Sequence, residues 1–448
     1  MDRIRALLRR TPSYEPLEGG SESPDGERIE HPKDRKFSWI DYSIFFLLGI
    51  CMLWAWNMFL AAGPYFQRRF ESNERILKNF QSAELSVSTI TNLGSMVILT
   101  KLQARASYPK RIIVSLIINI AVFTLLAIST RAFLGVSASI YFTFLILVVF
   151  GTSLATALCS NGVFAYVSGF GQEEYTQGIM AGQGVAGVLP CIAQIVSVLS
   201  VPEKTVNGDV PQEATASAFA YFLTATVIST IALLAFALLL SRNASRQHQK
   251  SSMDDGEGEN DNTGEQRESI SLSTLLKKLI WLAGAIFLAF TITMFFPVFT
   301  QRIESVKPMP GSPRLFQPAS FIPLAFLFWN AGDLLGRLAP AIPALSLTSR
   351  PRILFILSIA RIVFIPMYLL CNIDGRGARF SSDAFYLVVV QFLFGFSNGY
   401  IGSSCMMGCV ELVDEEEREA AGGFMSLCLV AGLTAGSLLS FLAAGSGS

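Results

Sequence analysis

Long apolar runs alternate with short polar stretches along nearly the whole chain. Eleven such runs are visible, at about 39–63, 83–103, 111–131, 138–168, 178–201, 217–241, 277–300, 319–345, 351–371, 384–409 and 419–443. An α-helix needs roughly 20 mostly apolar residues to cross hydrocarbon, and each run is near that length or beyond it. The run at 138–168 is overlong and is expected to tilt or to continue past the lipid. The pattern predicts an all-α integral membrane protein with eleven transmembrane helices. Residues 1–38 form a polar N-terminal tail and 444–448 a short terminal tail. The longest interruption, 242–276, holds SSMDDGEGENDNTGEQRES, which has too little apolar surface to fold alone and is expected to be a disordered linker. It divides an N-terminal bundle, 39–241, from a C-terminal bundle, 277–443.

Composition supports lipid as the solvent. Only 15% of the 448 residues are charged, against about 25% in soluble domains. The net charge is zero, and without a basic domain or stripe no nucleic-acid partner is expected. Placing the N-terminus in the cytoplasm puts most Lys and Arg on that side, although Arg68, Arg69, Arg75 and Lys78 fall opposite. On this topology the pattern Asn243-Ala244-Ser245 is cytoplasmic and not a glycosylation acceptor, and Ser251, Ser252 and Ser269 are read as unmodified linker residues. The start of the chain is polar, so its first apolar run is expected to stay as a membrane helix and not to be cleaved. The seven cysteines lie in or at the ends of apolar runs, and His31 and His248 lie in polar segments, so neither a disulfide framework nor a metal or cofactor site is expected. A Walker A sequence, a TVGYG filter and a nucleophile–base pairing are missing from the sequence, which argues against ATP drive, a potassium channel and an enzyme.

Ionisable groups inside membrane helices are costly and mark functional paths. Asp333 and Arg337, in FWNAGDLLGRLAP, share one helix face with Asn330. Two readings of that stripe stand side by side: a substrate path, in which Arg337 donates to hydroxyls or a carbonyl, and a structural ion pair. A third comes from D-x-x-G-R, which resembles the cytoplasmic gating motif of major-facilitator transporters and would latch helices without touching substrate. Arg361 is assigned a structural role, and Asp41 an interfacial one. Trp54, Trp56, Asn57, Asn92, Asn161, Gln183, Gln194, Gln391 and Asn398 all need partners and together imply a polar cavity. Gly178, Gly182, Gly184 and Gly187 crowd the fifth run, and Gly432 and Gly436 repeat a small-xxx-small spacing in the last, predicting close helix packing. Pro190, Pro297, Pro323, Pro340, Pro343 and Pro366 predict kinks or helix ends. An aromatic slot (Trp56, Phe296, Phe326) beside polar groups (Asn57, Asn330, Asp333, Arg337) suits a nucleoside, and equally sugars or drug-like amphiphiles.

Six motifs in order carry a more specific resemblance: LWAWNMFLAAGPYF, IMAGQGVAGVLPCIAQI, FWNAGDLLGR, RIVFIPMYLLCN, FGFSNGYIGSSCMM and AAGGFMSLCLVAGLTAG. Over nearly the whole membrane portion the chain resembles the equilibrative nucleoside transporter family, in a fungal-type form. The resemblance implies a major-facilitator-like two-bundle architecture of six plus five helices, a cytoplasmic N-terminus, and facilitated passage of purine and pyrimidine nucleosides such as adenosine and uridine. By motif position it places Trp56, Asn57, Asn330, Asp333 and Arg337 around substrate, with Leu53, Leu60, Phe296 and Leu433 as apolar lining. Asn161 stands where many animal members carry glutamine, and Ala55 where the first-helix motif usually has proline. Asp333 is the titratable group read in the path, and the adjacent Arg337 favours its charged form. Passive, bidirectional alternating-access transport by a monomer in lipid is therefore expected. A proton-coupled nucleoside or nucleobase symporter is the near alternative, and a sugar-type transporter or sensor receptor the distant one. Tyr14-Glu15-Pro16-Leu17 fits a tyrosine-based sorting signal, which favours a vacuolar or lysosomal membrane over the plasma membrane.

Overall fold

The computed structural model describes residues 37–103, 106–132, 134–200, 213–254, 270–307 and 313–445. The Tyr14–Leu17 pattern, His31 and Ser269 lie outside them. The described chain is a succession of helices: α1 (Trp39–Ala61), α2 (Gly63–Phe70), α3 (Glu74–Lys101), α4 (Tyr108–Ala132), α5 (Ala138–Ser168), α6 (Glu173–Ser200), α7 (Glu213–Asp254), α8 (Leu272–Thr293), α9 (Phe295–Thr300), α10 (Pro318–Leu338), α11 (Pro351–Ala360), α12 (Phe364–Tyr368), α13 (Leu393–Gly408) and α14 (Arg418–Gly445). Ten described spans are long and apolar enough to cross a membrane. The second expected span lies in α3, which is long enough at 28 residues but too polar to join them. Glu84, Ser88 and Asn92 follow one another at four-residue spacing on it, and it packs against α5 and α14.

The breaks between helices follow local chemistry. Pro64 has no N–H to give the Leu60 carbonyl, and α1 gives way to α2 there. Pro297 likewise leaves the Thr293 carbonyl without its helical donor, so the seventh span splits into α8 and α9. The ninth span is broken by a tight turn at Arg361–Val363. The tenth enters through a wide π-helical stretch, Phe385–Phe392, before tightening into α13. Side-chain caps fix three of the starts: Ser38 accepts from the Asp41 N–H at 3.4 Å, Asn73 from the Ile76 N–H at 3.2 Å, and Ser271 from the Ser273 N–H at 3.3 Å. The sixth span continues past its expected end at 241 to Asp254, so the first part of the expected linker is helical. Arg, Gln, Lys and Ala are good helix formers and prolong a helix already nucleated in the membrane.

Within the N-terminal half, α1 lies along α6 and α7, and α4 along α5 and α7. Within the C-terminal half, α8 lies along α14 and α11, and α10 along α13. The halves meet through α6 with α10 and α13, and through α14 with α3 and α5. Large apolar residues such as Ile90, Leu147, Leu234, Ile356 and Leu438 are exposed, as a lipid-facing surface requires. Asp41 is buried at the start of α1 and pairs with Arg242 of α7 at 3.3 Å. On the face opposite the start of α1, Arg302 grips Asp374 through two hydrogen bonds, 3.1 and 2.6 Å, and holds its carboxyl below the usual carboxylate range.

Backbone approach is closest between α10 and α13. A Cβ on Gly332 would overlap the Phe392 carbonyl oxygen, and one on Gly336 that of Phe396; from the other side, Gly395 meets Trp329 and Gly399 meets Asp333 in the same way. The glycines of the fifth span divide between two neighbours. Gly178 and Gly182 face Tyr42 and Phe46 of α1, whereas Gly184 and Gly187 face Leu334 and Asn330 of α10. Gly432 and Gly436 of α14 face Phe287 and Thr291 of α8. Replacing Gly332 by alanine is expected to cost about 1–3 kcal/mol through overpacking, read as a lower unfolding temperature of the purified protein. Gly94→Ala on α3, where a methyl meets nothing within 4 Å, should leave it unchanged or raised.

Candidate functional site

Asp333 and Arg337 lie one turn apart on α10, only 4% and 5% exposed. Arg337 Nε donates to Asp333 Oδ2 at 2.7 Å. The other carboxylate oxygen, Oδ1, accepts from Asn398 Nδ2 of α13 at 2.7 Å. The close approach of α10 and α13 makes this contact possible for so short a side chain. Asn398 Oδ1 in turn accepts from the Thr293 hydroxyl at 2.7 Å, and Arg361 Nη2 donates to that hydroxyl at 2.9 Å. Arg361 is 2% exposed, donates from Nε to Ser397 Oγ at 3.0 Å and from Nη1 to the Ala289 carbonyl, and lies over the Phe394 ring. A polar chain thus runs from the ninth span through α8 and α13 to the ion pair on α10.

The chain crosses to the other half at Arg337. Its Nη1 donates to Gln183 Oε1 of α6 at 2.8 Å and to the Met180 carbonyl at 3.3 Å. Its Nη2 makes no hydrogen bond to the described residues. The guanidinium therefore does three things at once: it neutralises Asp333, ties α10 to α6, and keeps donors in reserve. Gln183 Nε2 reaches the Met52 sulfur of α1 at 3.7 Å. Asn57 of α1 donates to the Ala186 carbonyl of α6 at 2.8 Å.

Aromatic groups adjoin the polar chain. Phe296, at the break between α8 and α9, stacks on Trp329 at 4.2 Å and meets Phe326 edge-on at 5.0 Å. Asn330, the next residue after Trp329, donates to the Phe326 carbonyl at 2.9 Å and to Cys191 Sγ of α6 at 3.5 Å. Trp329 Nε1 is buried without an acceptor among the described residues. Trp56 is half-buried and stacks on Phe59 at 5.6 Å. Among the described residues no group of histidine, cysteine or carboxylate side chains has the arrangement of a metal site.

The structure brings Asn330, Asp333, Arg337 and Phe296 together around α10 and ties Asn57 of α1 to the adjoining α6. Leu53 is half-buried, and Leu433 is half-buried against the large core cluster. Leu60 is 56% exposed at the far end of α1. Asn161 is held elsewhere: it accepts from Arg111 of α4, which also caps the Leu99 and Leu102 carbonyls at the end of α3, and its amide faces Gly423 of α14. Sequence reading missed Thr293, Trp329 and Arg111. Thr293 and Trp329 carry no charge and sit in apolar runs; Arg111 looks like an ordinary loop cation until the α3 carbonyls are seen around it. Removing one partner of a buried ion pair strands the other. Asp333→Ala or Arg337→Ala should each cost about 3–5 kcal/mol of stability. The double variant should be less destabilised than the sum, as read by thermal unfolding of purified protein in detergent.

Residues 144–444 match the nucleoside transporter family. The chain is 30% identical to the nucleoside transporter FUN26 of Saccharomyces cerevisiae, over 92% of this chain and 85% of that one. It is 28% identical to equilibrative nucleoside transporter 1 of Homo sapiens, over 92% and 98% of the two chains. Among solved structures it is similar to FucP, a major facilitator superfamily transporter in the outward conformation, with a TM-score of 0.57 at 15% identity over 92% of this chain and 93% of that one. It is also similar to the proton:xylose symporter XylE, with a TM-score of 0.55 at 11% identity over 91% and 88%. The last two establish a major-facilitator-like helical fold. The first three establish descent: this chain belongs to the nucleoside transporter family.

Proposed function

We propose that this chain carries nucleosides across a membrane by alternating access, down their own gradient. The observation that carries the reading is the Arg337 guanidinium. It sits between the two halves, balanced by Asp333, with Nη2 free to donate, beside the Phe296–Trp329 stack. A nucleoside asks for that combination: an aromatic surface for the base and charged donors and acceptors for the ribose. Trp56, Asn57 and Asn330 complete the proposed site from α1 and α10. Leu53, Leu60 and Leu433 are its proposed apolar border, and Asn161 belongs to the Arg111 contact between α4, α5 and α14.

Arg337 also fits a gate, because its bonds to Gln183 and Met180 cross between the halves. Both roles belong to one group: substrate that engages the guanidinium competes for donors that hold α6 to α10. Uniport is the coupling mode we propose with it. Both Asp333 oxygens accept hydrogen bonds, from Arg337 and Asn398, and this occupied carboxylate supports the uniport reading. The Lys/Arg bias assigns the N-terminal tail to the cytoplasm, and the Tyr14–Leu17 pattern favours a vacuolar or lysosomal membrane. We take the working unit to be a monomer.

Purified protein in liposomes should take up labelled adenosine and uridine saturably, to equilibrium and no further, whether or not a pH gradient is imposed. Arg337→Lys keeps the charge but loses the planar fork. It should lower flux roughly ten- to a hundredfold, the loss of about one charged hydrogen bond. Uptake above equilibrium driven by the pH gradient would replace uniport by symport. Absence of saturable flux from folded protein would remove the substrate assignment.

A further inference from the structure

Helix α3 holds an ionisable group that the central site does not use. Glu84 is 7% exposed. Its Oε1 is fully buried and accepts from nothing among the described residues. Glu84 follows Phe80 by one turn, and Phe80 is packed in the aromatic and aliphatic cluster of the N-terminal half. One turn further, Ser88 accepts from Ser153 of α5 at 2.9 Å. One more turn on, Asn92 Oδ1 is a second buried acceptor without a donor. The α3 face towards α5 is therefore rich in acceptors and short of donors.

The neighbouring elements offer no cation to Glu84. From α5 come Tyr141, Cys159 and Tyr166, and its sequence holds no Asp, Glu, Lys or Arg. From α14 come Arg418 and Glu419, both in its first turn, and Cys428. From α2 come Tyr65, Arg68 and Arg69; Arg69 donates to the Leu134 and Val136 carbonyls and covers the Tyr141 ring. On α3 itself Glu74 pairs with Lys78 near the helix start, Arg75 lies in the same turn, and Lys101 ends the helix. None of these is bonded to Glu84 in the structure. A carboxylate without cation or donor is far costlier in such surroundings than the neutral acid.

We propose that Glu84 is a proton-binding site separate from the solute site, and that its protonated form is the one that permits the helix packing seen here. The inference rests on the transporter reading for its consequence, not for the site itself. Helix α3 belongs to one of the two seams between the halves, against α14. Ionised, Glu84 demands water and disfavours this conformation, so the transport cycle slows as pH rises. Protonated, it needs no partner and the seam closes. The group controls rate and not direction, because it lies on a different set of helices from Asp333 and Arg337 and makes no bond to them.

The test uses full-length protein in liposomes with the same pH inside and out. Wild-type nucleoside flux should rise with acidity and, above the midpoint, fall about tenfold per pH unit. Glu84→Gln, a neutral isostere, should hold the acid-plateau flux across the range. Glu84→Leu, a second neutral variant, should share the flat profile if the glutamine protein is poorly folded. Flux indifferent to pH in the wild type, or a wild-type profile retained by both variants, overturns the proposal. So does a pH gradient that drives accumulation in the wild type but not in Glu84→Gln, which would make the proton cargo. A substrate-free measurement separates this from the nucleoside assignment: on titration in detergent from about pH 9 down to about pH 6, well above the ordinary glutamate range of about 4.3, wild type should take up one more proton per chain than Glu84→Gln. Equal uptake removes the site even if nucleosides are transported, and unequal uptake sustains it even if they are not.

Discussion

A membrane interior supplies no water to finish a hydrogen bond, and the central helices are arranged around that constraint. Asp333 is buried, and Arg337, Asn398 and, through Asn398, Thr293 and Arg361 surround it with donors. Each donor comes from a different element, so one buried carboxylate specifies the mutual placement of α8, α10, α13 and the ninth span. The break at Pro297 and the turn at Arg361 serve the same end, since Thr293 and Arg361 both lie where helices are interrupted. Arg337 extends the arrangement across to α6, which makes the ion pair both the centre of one half and its contact with the other.

Much of this was legible beforehand. Apolar run length gave the helices, and the motifs from the first to the last span gave the family. The Asp333–Arg337–Asn330 stripe was visible because charges in apolar runs are rare. What was not legible depended on three-dimensional neighbours. Gly332, Gly336, Gly395 and Gly399 attracted no attention beside the denser glycines of the fifth span, yet they make the closest backbone contact between α10 and α13. Asn161 looked like one more polar residue for the cavity, and its partner Arg111 stands in the first turn of α4. Glu84 was passed over because it stands second in its run, where a charge normally reaches water; α3 extends well before that point and the residue is buried.

Helix α3 accounts for the difference between the eleven expected spans and the ten described helices long and apolar enough to cross a membrane. Hydropathy measures what a helix shows to lipid when lipid surrounds it. A helix with one face on α5 and part of another on α14 can keep polar groups there and still lie at membrane depth. Its low hydropathy is a record of its neighbours.

The interlocked glycines of α10 and α13 have a consequence for how motion in this protein could be observed. Two helices whose main chains touch over successive turns cannot slide or tilt relative to each other without steric collision, so they behave as one rigid beam. Spectroscopic labels placed on that pair would report a fixed distance throughout the cycle and serve as an internal ruler. The α6–α10 contact is held by side chains around Arg337 as well as by glycines, and labels across it would read the rearrangement itself.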